Sequence, residues 1–487
     1  MMQDSWSSGM KPDTPREKIL RSGAYSLTDA FLDLGAPIVK RGGWDRPWNQ
    51  IGSSGYAQAV GFAPFVAGHK VIGITSGGTL YSMAYGSATT TSVGACNQLA
   101  HPPVYYSDKL WFPDINGSAA LKSWDGTTLA TASGSPPAGA ICGTWRDHLV
   151  LARSAANPRR IWFAGVSDPT DWVTTDPGGQ WMDALRPVQG LAEIKGMLLI
   201  FEEGLVERIR GTVIPGVTGS DATIEYLFSV GCSDPASIAV SDDYVVWANS
   251  SGVYFSDGST MADLTLQAGI SQEWKTNLSG YASTWTIAAA IYRGMYVCTV
   301  MDGSTFKCAY WIDIPKRAAG RLTNIKATML CSTPVGLLDL APKLIMGERG
   351  DYRVSDLTTM WTPSSTYKND DDGTAVTWSM ETPFYLGKRG LKRLRNLLVT
   401  YAMQDAGTDN PTLTVQGTTD LSVGAYTTLD SAVPETTTGV WDCYTVGMDE
   451  IERSEGVGVK ISQTGPSAFT KLYSIEMEWN PMEQSRR

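Results

Sequence analysis

At 487 residues the chain has room for two to four domains of about 150 residues and for a large core. Only 18% of residues are charged, against a usual figure of about 25%, while Gly (50) and Pro (25) are plentiful and Trp (17) outnumbers Phe (11). This balance excludes coiled coil, collagen and wholesale disorder, and the net charge of −10 argues against a DNA-coating role, which needs a basic footprint. The polar start, 1–18, has no secretory apolar core, and no apolar run approaches the 18 or so residues of a membrane helix. Seven cysteines are scattered singly with no C-x-x-C spacing, which reads as buried reduced thiols. No cofactor is expected.

In chain order, residues 1–54 read as an extended N-terminal arm, with one or two helical turns over 25–33. From 55 to 362, short β-rich units recur, each a pair of apolar runs parted by Gly, Asp or Ser. Anchors at Val71, Lys109, His148, Met197, Tyr244, Met295 and Lys343 stand 38, 39, 49, 47, 51 and 48 residues apart. Periods near 40–50 with several strands each are the pattern of a β-propeller, whose units cannot bury their faces alone. Runs such as Tyr244-Val245-Val246-Trp247 are apolar on both faces, as suits a strand packed between neighbouring sheets. The predicted fold is therefore all-β, a propeller of about seven blades; a string of separate sandwiches would need linkers every 100 residues or so. Residues 363–374 are polar and read as a linker. About seven alternating strands over 375–487 predict a C-terminal β-sandwich or jelly roll.

Chemistry-bearing motifs are scarce. There is no GxxxxGK[ST], HExxH or GxSxG, and His69, His101 and His148 stand on separate units, so neither a metal site nor catalysis is expected. The turns Asp257-Gly258-Ser259-Thr260 and Asp302-Gly303-Ser304-Thr305 resemble the Asp-box hairpins of sialidases but lack the following Trp, and read as Asp-Gly hairpins. Asp370-Asp371-Asp372 could offer oxygens to a cation, though a solvated loop is the plainer reading. The strongest charge anomaly puts Lys388, Arg389, Lys392, Arg393 and Arg395 within eight residues. Such a patch suits either an acidic partner surface or phosphates, against a solvated edge as the plain alternative. Five crowded cations favour the partner contact, because an acidic surface relieves their self-repulsion.

Four segments resemble phage tail propeller proteins. They are Val39-Lys40-Arg41-Gly42-Gly43-Trp44, the Ser-x-Pro-x-x-Trp run from Ser167 to Trp172, the stretch 188–201, and Gly231-Cys232-Ser233-Asp234-Pro235-Ala236-Ser237-Ile238 with Val246-Trp247 beyond it. Their order along 37–300 is similar to that of the tail nozzle, or packaged-DNA stabilisation, proteins of short-tailed bacteriophages. The resemblance implies a structural virion protein made in the host bacterial cytoplasm and assembled as a homo-oligomer, a hexameric ring closing the DNA channel. It further implies contacts with the portal-adaptor ring, with a tail fibre or tailspike and with a tail needle or plug, and transient passage of double-stranded DNA. The alternatives are a tail-tip or minor tail protein of a long-tailed phage, and a carbohydrate-active or glycan-binding propeller.

Overall fold

The computed structural model describes residues 2–481 except 4–5, 15–17, 20–22, 33–37, 54, 66–67, 86, 176–177, 334–341, 362–369, 372–373, 384, 387–391, 406–411, 419–425, 433–440, 448–455 and 465–467. Among these residues, seven antiparallel groups of consecutive strands follow one another from Ala57 to Asp356: five four-stranded sheets, a sixth group of four strands that continues into a larger sheet, and a last sheet of three. Every anchor of the sequence period lies in, or directly before, the second strand of its sheet: Gly68–Thr75, Lys109–Phe112, His148–Ala152, Met197–Glu202, Val245–Asn249, Met295–Asp302 and Leu344–Glu348.

Burial explains why those strands carry the signal. His148–Ala152 is buried at every position, because both faces of a second strand meet a neighbouring sheet. The first strand of the fourth sheet, Val188–Ile194, alternates buried and half-buried, whereas its outermost strand, Thr223–Phe228, is exposed or half-buried throughout. Four of the first hairpins share one two-residue turn with both φ angles positive, at Ser107-Asp108, Arg146-Asp147, Lys195-Gly196 and Arg293-Gly294. That geometry matches the right-handed twist of the flanking strands.

Apolar clusters join each sheet to the next. Leu110 and Trp124 pack with Val60 and Val71; Tyr106 and Trp111 with Leu149 and Leu151; Trp145 and Phe163 with Ile200 and Ile209; Phe201 with Trp247 and Tyr254. Val246 and Val253 share a core with Ile287 and Val297, which extends to Leu330 and Leu344. Met329 and Ile345 of the last sheet then pack with Val60 of the first, so the series closes on itself. This is the arrangement of a β-propeller.

The termini extend the sixth sheet and build one further sheet together. Ser26–Thr28 lies parallel to Ala318–Leu322, the outer strand of the sixth sheet, and antiparallel to Trp378–Glu381. Gly456–Thr464, Thr412–Thr418 and Thr427–Ala432 follow, so one sheet runs from the propeller through an N-terminal strand into the C-terminal region. The other sheet orders Ala30–Leu32, Ile38–Lys40, Ala468–Pro481, Lys392–Asp405 and Trp441–Gly447. Segment 1–54 thus supplies strands and is not an arm laid on a finished surface. The helical turns expected over 25–33 are also corrected. Backbone donors there bond to other strands, and Asp29, at φ 53°, turns the chain from one sheet into the other. Two short helices, Leu264–Ala268 and Ser271–Asn277, connect the fifth and sixth sheets.

Candidate functional site

Where the seven sheets converge, a cavity of about 790 Å³ opens on the axis. Gln58, Leu99, Arg153, Gln189, Asp234, Trp285 and Arg349 line it, one from each sheet or from a loop beside it. Ser233, Asp234, Pro235 and Ala236 line it together. Asp234 caps a 3₁₀ turn over Pro235–Ser237, accepting the Ala236 N–H at 2.9 Å. Its other oxygen accepts the Ile287 N–H of the sixth sheet at 3.0 Å. Gly231 is required where it stands: a Cβ would lie 1.9 Å from the Glu202 carbonyl oxygen. Burial pushes the Asp234 carboxyl up to about 6, against the pull of the two N–H groups and of Arg153. The buried acid of the cavity therefore joins the fifth sheet to the sixth.

Two guanidiniums line the same cavity. Arg153, at φ 59°, donates from Nη1 to Gln189 Oε1 at 2.8 Å. Burial pulls its pKa down, with Asp234 opposing. The Arg349 guanidinium lies 4.1 Å over the Tyr56 ring.

The second cluster sits where the terminal sheets meet the propeller. Arg41 donates from Nε to Asp29 at 2.6 Å and from both terminal nitrogens to Asp371, at 2.7 and 2.6 Å. Its remaining two donors reach the Gly42 and Thr323 carbonyls at 3.0 and 3.2 Å, so all five are filled. Asp29 also accepts the Thr323 N–H at 2.9 Å and the Thr323 hydroxyl. Arg41 and Asp29 are wholly buried. Burial raises the Asp371 carboxyl even beside Arg41, and burial together with Arg41 brings neighbouring Lys40 down to about 8. Gly42 is needed for closeness, since a Cβ would meet the Thr359 carbonyl oxygen at 2.5 Å. The solvated-loop reading of 370–372 is overturned for Asp371: it is buried, its ligand is a guanidinium of this chain, and Asp370–Asp371 pairs with Thr374–Ala375.

Of the basic segment, Lys388 and Arg389 lie outside the described residues. Lys392 and Arg393 open the long strand Lys392–Asp405, opposite Pro481 and Asn480, and Arg395 falls at a register shift in that pairing. The strand runs between Ala468–Pro481 and Trp441–Gly447, so these three residues belong to a strand. The histidines pack. His101 Nε2 accepts the Cys142 N–H at 3.0 Å while Nδ1 faces the Pro102 carbonyl at 2.7 Å, which puts its proton on Nδ1; burial brings its pKa down to about 4. His148 Nδ1 meets the Ala164 carbonyl at 2.7 Å, and the His69 ring stacks on Phe62. Asp257 accepts the Ser259 and Thr260 N–H groups at 2.9 and 2.7 Å, which hold its carboxyl well below the usual range and close an ordinary hairpin turn. In the Ser-x-Pro-x-x-Trp run, Trp172 Nε1 donates to the Pro169 carbonyl at 2.8 Å.

Sequence reasoning singled out the segments around Arg41 and Asp234 as motifs without finding what they do. Charged residues inside otherwise apolar, glycine-flanked runs were the available signal.

No protein-family model and no curated protein matches the chain. Among solved structures it is similar to the WD40 repeats of RRP9, at 11% identity and a TM-score of 0.44, covering 65% of this chain and 98% of that one. It is also similar to Saccharomyces cerevisiae Sqt1, at 11% identity and a TM-score of 0.38, covering 65% and 98%. The WD40 domain of Neurospora crassa Pan2 matches at 9% identity and a TM-score of 0.41, covering 66% and 95%.

Proposed function

We propose that this chain is a structural subunit of a phage tail, a nozzle-type protein that assembles into a hexameric ring through which DNA leaves. In this reading the seven sheets are seven blades, and residues 375–487 with the N-terminal strands form a β-sandwich. The observation that carries it is the join between the two parts. One sheet is continuous from the sixth blade through Ser26–Thr28 into Trp378–Glu381, and it is pinned beside that strand by the buried Asp29–Arg41–Asp371 cluster. An enzyme or lectin needs only a propeller with a site. A channel subunit must keep two β-parts in one orientation while a duplex passes, and a sheet crossing their boundary resists both bending and shear. The four segments that resemble tail proteins lend separate support, and one of them, residues 39–44, supplies the Arg41 of this join. An acidic chain also suits a conduit from which phosphates should be released. The partners of this reading are the portal-adaptor ring, a fibre or spike, and a needle or plug.

Native mass spectrometry of the purified chain, together with Arg389→Ala/Arg393→Ala/Arg395→Ala, tests the reading. The wild type is expected to give a closed ring, and the triple variant folded monomers whose assembly defect shrinks as salt rises. A wild-type chain that stays monomeric at tens of micromolar and is absent from particles would overturn it.

A further inference from the structure

We propose that Glu202 and Glu207 share one proton and act as a pH-sensitive latch, which holds the connection 184–187 to the fourth sheet while the proton is kept and releases it when the proton is lost. The inference is independent of the ring reading, since it rests on one joint inside a single chain.

Backbone pairing puts the two side chains on one face. Ile200 lies opposite Glu207, and the Glu202 N–H continues the ladder by donating to the Leu205 carbonyl at 3.0 Å. Glu202 stands two residues beyond Ile200, so it points to the same side as Ile200 and Glu207. That side meets the third sheet, where Ile200 packs with Ile161, Phe163 and Ala184. Glu202 is 0% exposed and Glu207 2%. Neither oxygen of Glu202 has a donor in hydrogen-bond geometry, and no cation of the described residues reaches either carboxyl at ion-pair distance. Two neighbouring buried carboxyls without a counter-charge do not both ionise. A protonated Glu202 resolves the conflict by donating its O–H to Glu207. Burial first, and then this hydrogen bond, push the Glu202 carboxyl up to about 7, against the pull of the Arg186 N–H and guanidinium. Among the described residues no third carboxylate, His or Cys joins the pair as a metal ligand, so the counter-charge that fits is a proton.

The surrounding charges leave the pair to itself. Arg186 is exposed and lies over the turn, where a Cβ on Gly204 would be 3.1 Å from its Nη1. Glu203 of the same turn is exposed. From the third sheet, Arg153 donates to Gln189, Arg160 to Asp183, and Arg159 is exposed. What the pair holds is the connection between the two sheets. Its ends are fixed, with the Ala184 N–H on the Arg159 carbonyl at 2.9 Å and the Val188 N–H on the Pro158 carbonyl at 3.0 Å. Between them, the Leu185 N–H donates to Glu207 Oε2 at 3.0 Å. Leu185, Arg186 and Pro187 are exposed, so this stretch can swing outward and admit water to the carboxylates without opening the apolar cluster that holds Ala184 and Val188.

Opening returns Glu202 to the ordinary carboxylate range, so between about pH 5 and 7 it releases a proton. Hydrogen exchange at Leu185 in the full chain, corrected for the intrinsic rate, reads the opening constant. It is expected to rise about fortyfold from pH 5 to 7 and less than about twofold from 7 to 8. Glu202→Gln, whose amide can still donate to Glu207, should abolish this slope, whereas Asp234→Asn should keep it. Infrared titration of the wild type with isotope-labelled glutamate needs no variant, and should show one glutamic acid at pH 6 that loses its proton by pH 8.5. A flat wild-type profile, an unchanged slope in Glu202→Gln, or no protonated glutamate at pH 6 would overturn the latch. A melting temperature lowered by EDTA would put a metal ion between the carboxylates and overturn it as well.

Discussion

Replacing Arg41 by Met removes the sole guanidinium between Asp29 and Asp371 and leaves both carboxylates buried. The two are not stranded equally. Among the described residues, Asp29 keeps the Thr323 N–H and hydroxyl, whereas Asp371 keeps only a long bond from the Asn324 amide at 3.3 Å. Asp371 is therefore expected to hold a proton in the folded variant and to lose it on unfolding. Keeping one carboxyl protonated at pH 7 against an unfolded pKa near 3.9 costs about 4 kcal/mol, at roughly 1.4 kcal/mol per pH unit. That agrees with the 3–5 kcal/mol or so found when one partner of a buried ion pair is removed. At pH 5 the same reasoning leaves about 1.5 kcal/mol. The folded variant binds more protons than the unfolded chain over this window, so its stability falls as pH rises. Urea denaturation followed by tryptophan fluorescence at pH 5 and 7 measures both values. Adding Asp371→Asn to Arg41→Met should recover most of the loss at pH 7, because an amide has no proton to keep. Hydrogen exchange should speed up first in Ser26–Thr28 and Ala30–Leu32, which flank Asp29. A loss equal at both pH values, or a double variant no better than Arg41→Met, would refute the reasoning.

Asp234→Asn should be less stable than wild type at pH 4, because the new NH₂ group faces either the Ala236 or the Ile287 N–H. The gap should narrow towards pH 7. Wild-type Asp234 has its pKa raised to about 6, and the stability linked to that raised value is full below an unfolded pKa near 3.9 and lost as pH rises through 6; equilibrium unfolding across this range should show up to about 3 kcal/mol of narrowing. Gly231→Ala puts a Cβ 1.9 Å from the Glu202 carbonyl and 2.6 Å from the Leu205 nitrogen, both backbone atoms, so it should cost about 1–3 kcal/mol, visible as a lower melting temperature. An unchanged melt would mean that the turn yields easily.

The propeller was legible because its physics is local and repeated. A strand with sheets on both faces must be apolar throughout, and the spacing of those runs showed up as a period in the one-dimensional string. Val245–Asn249 and His148–Ala152 could be found without knowing which sheets they touch. The glycine-flanked charged segments at Arg41 and Asp234 were legible as unusual, and no further. What Arg41 binds lies 330 residues away at Asp371, and what Asp234 binds lies 53 away at Ile287, and no periodicity links such positions. Tertiary structure also decided the fate of residues 25–33. Local propensity allowed a helical turn, but Ser26–Thr28 finds two waiting strand edges, one at Arg321 and one at Met380, and pairing with both satisfies backbone groups that an isolated turn would leave to water. The axial cavity is the extreme case. Its wall takes residues from all seven strand groups and the loops beside them, and only closure of the ring brings Arg153 and Arg349 into one space.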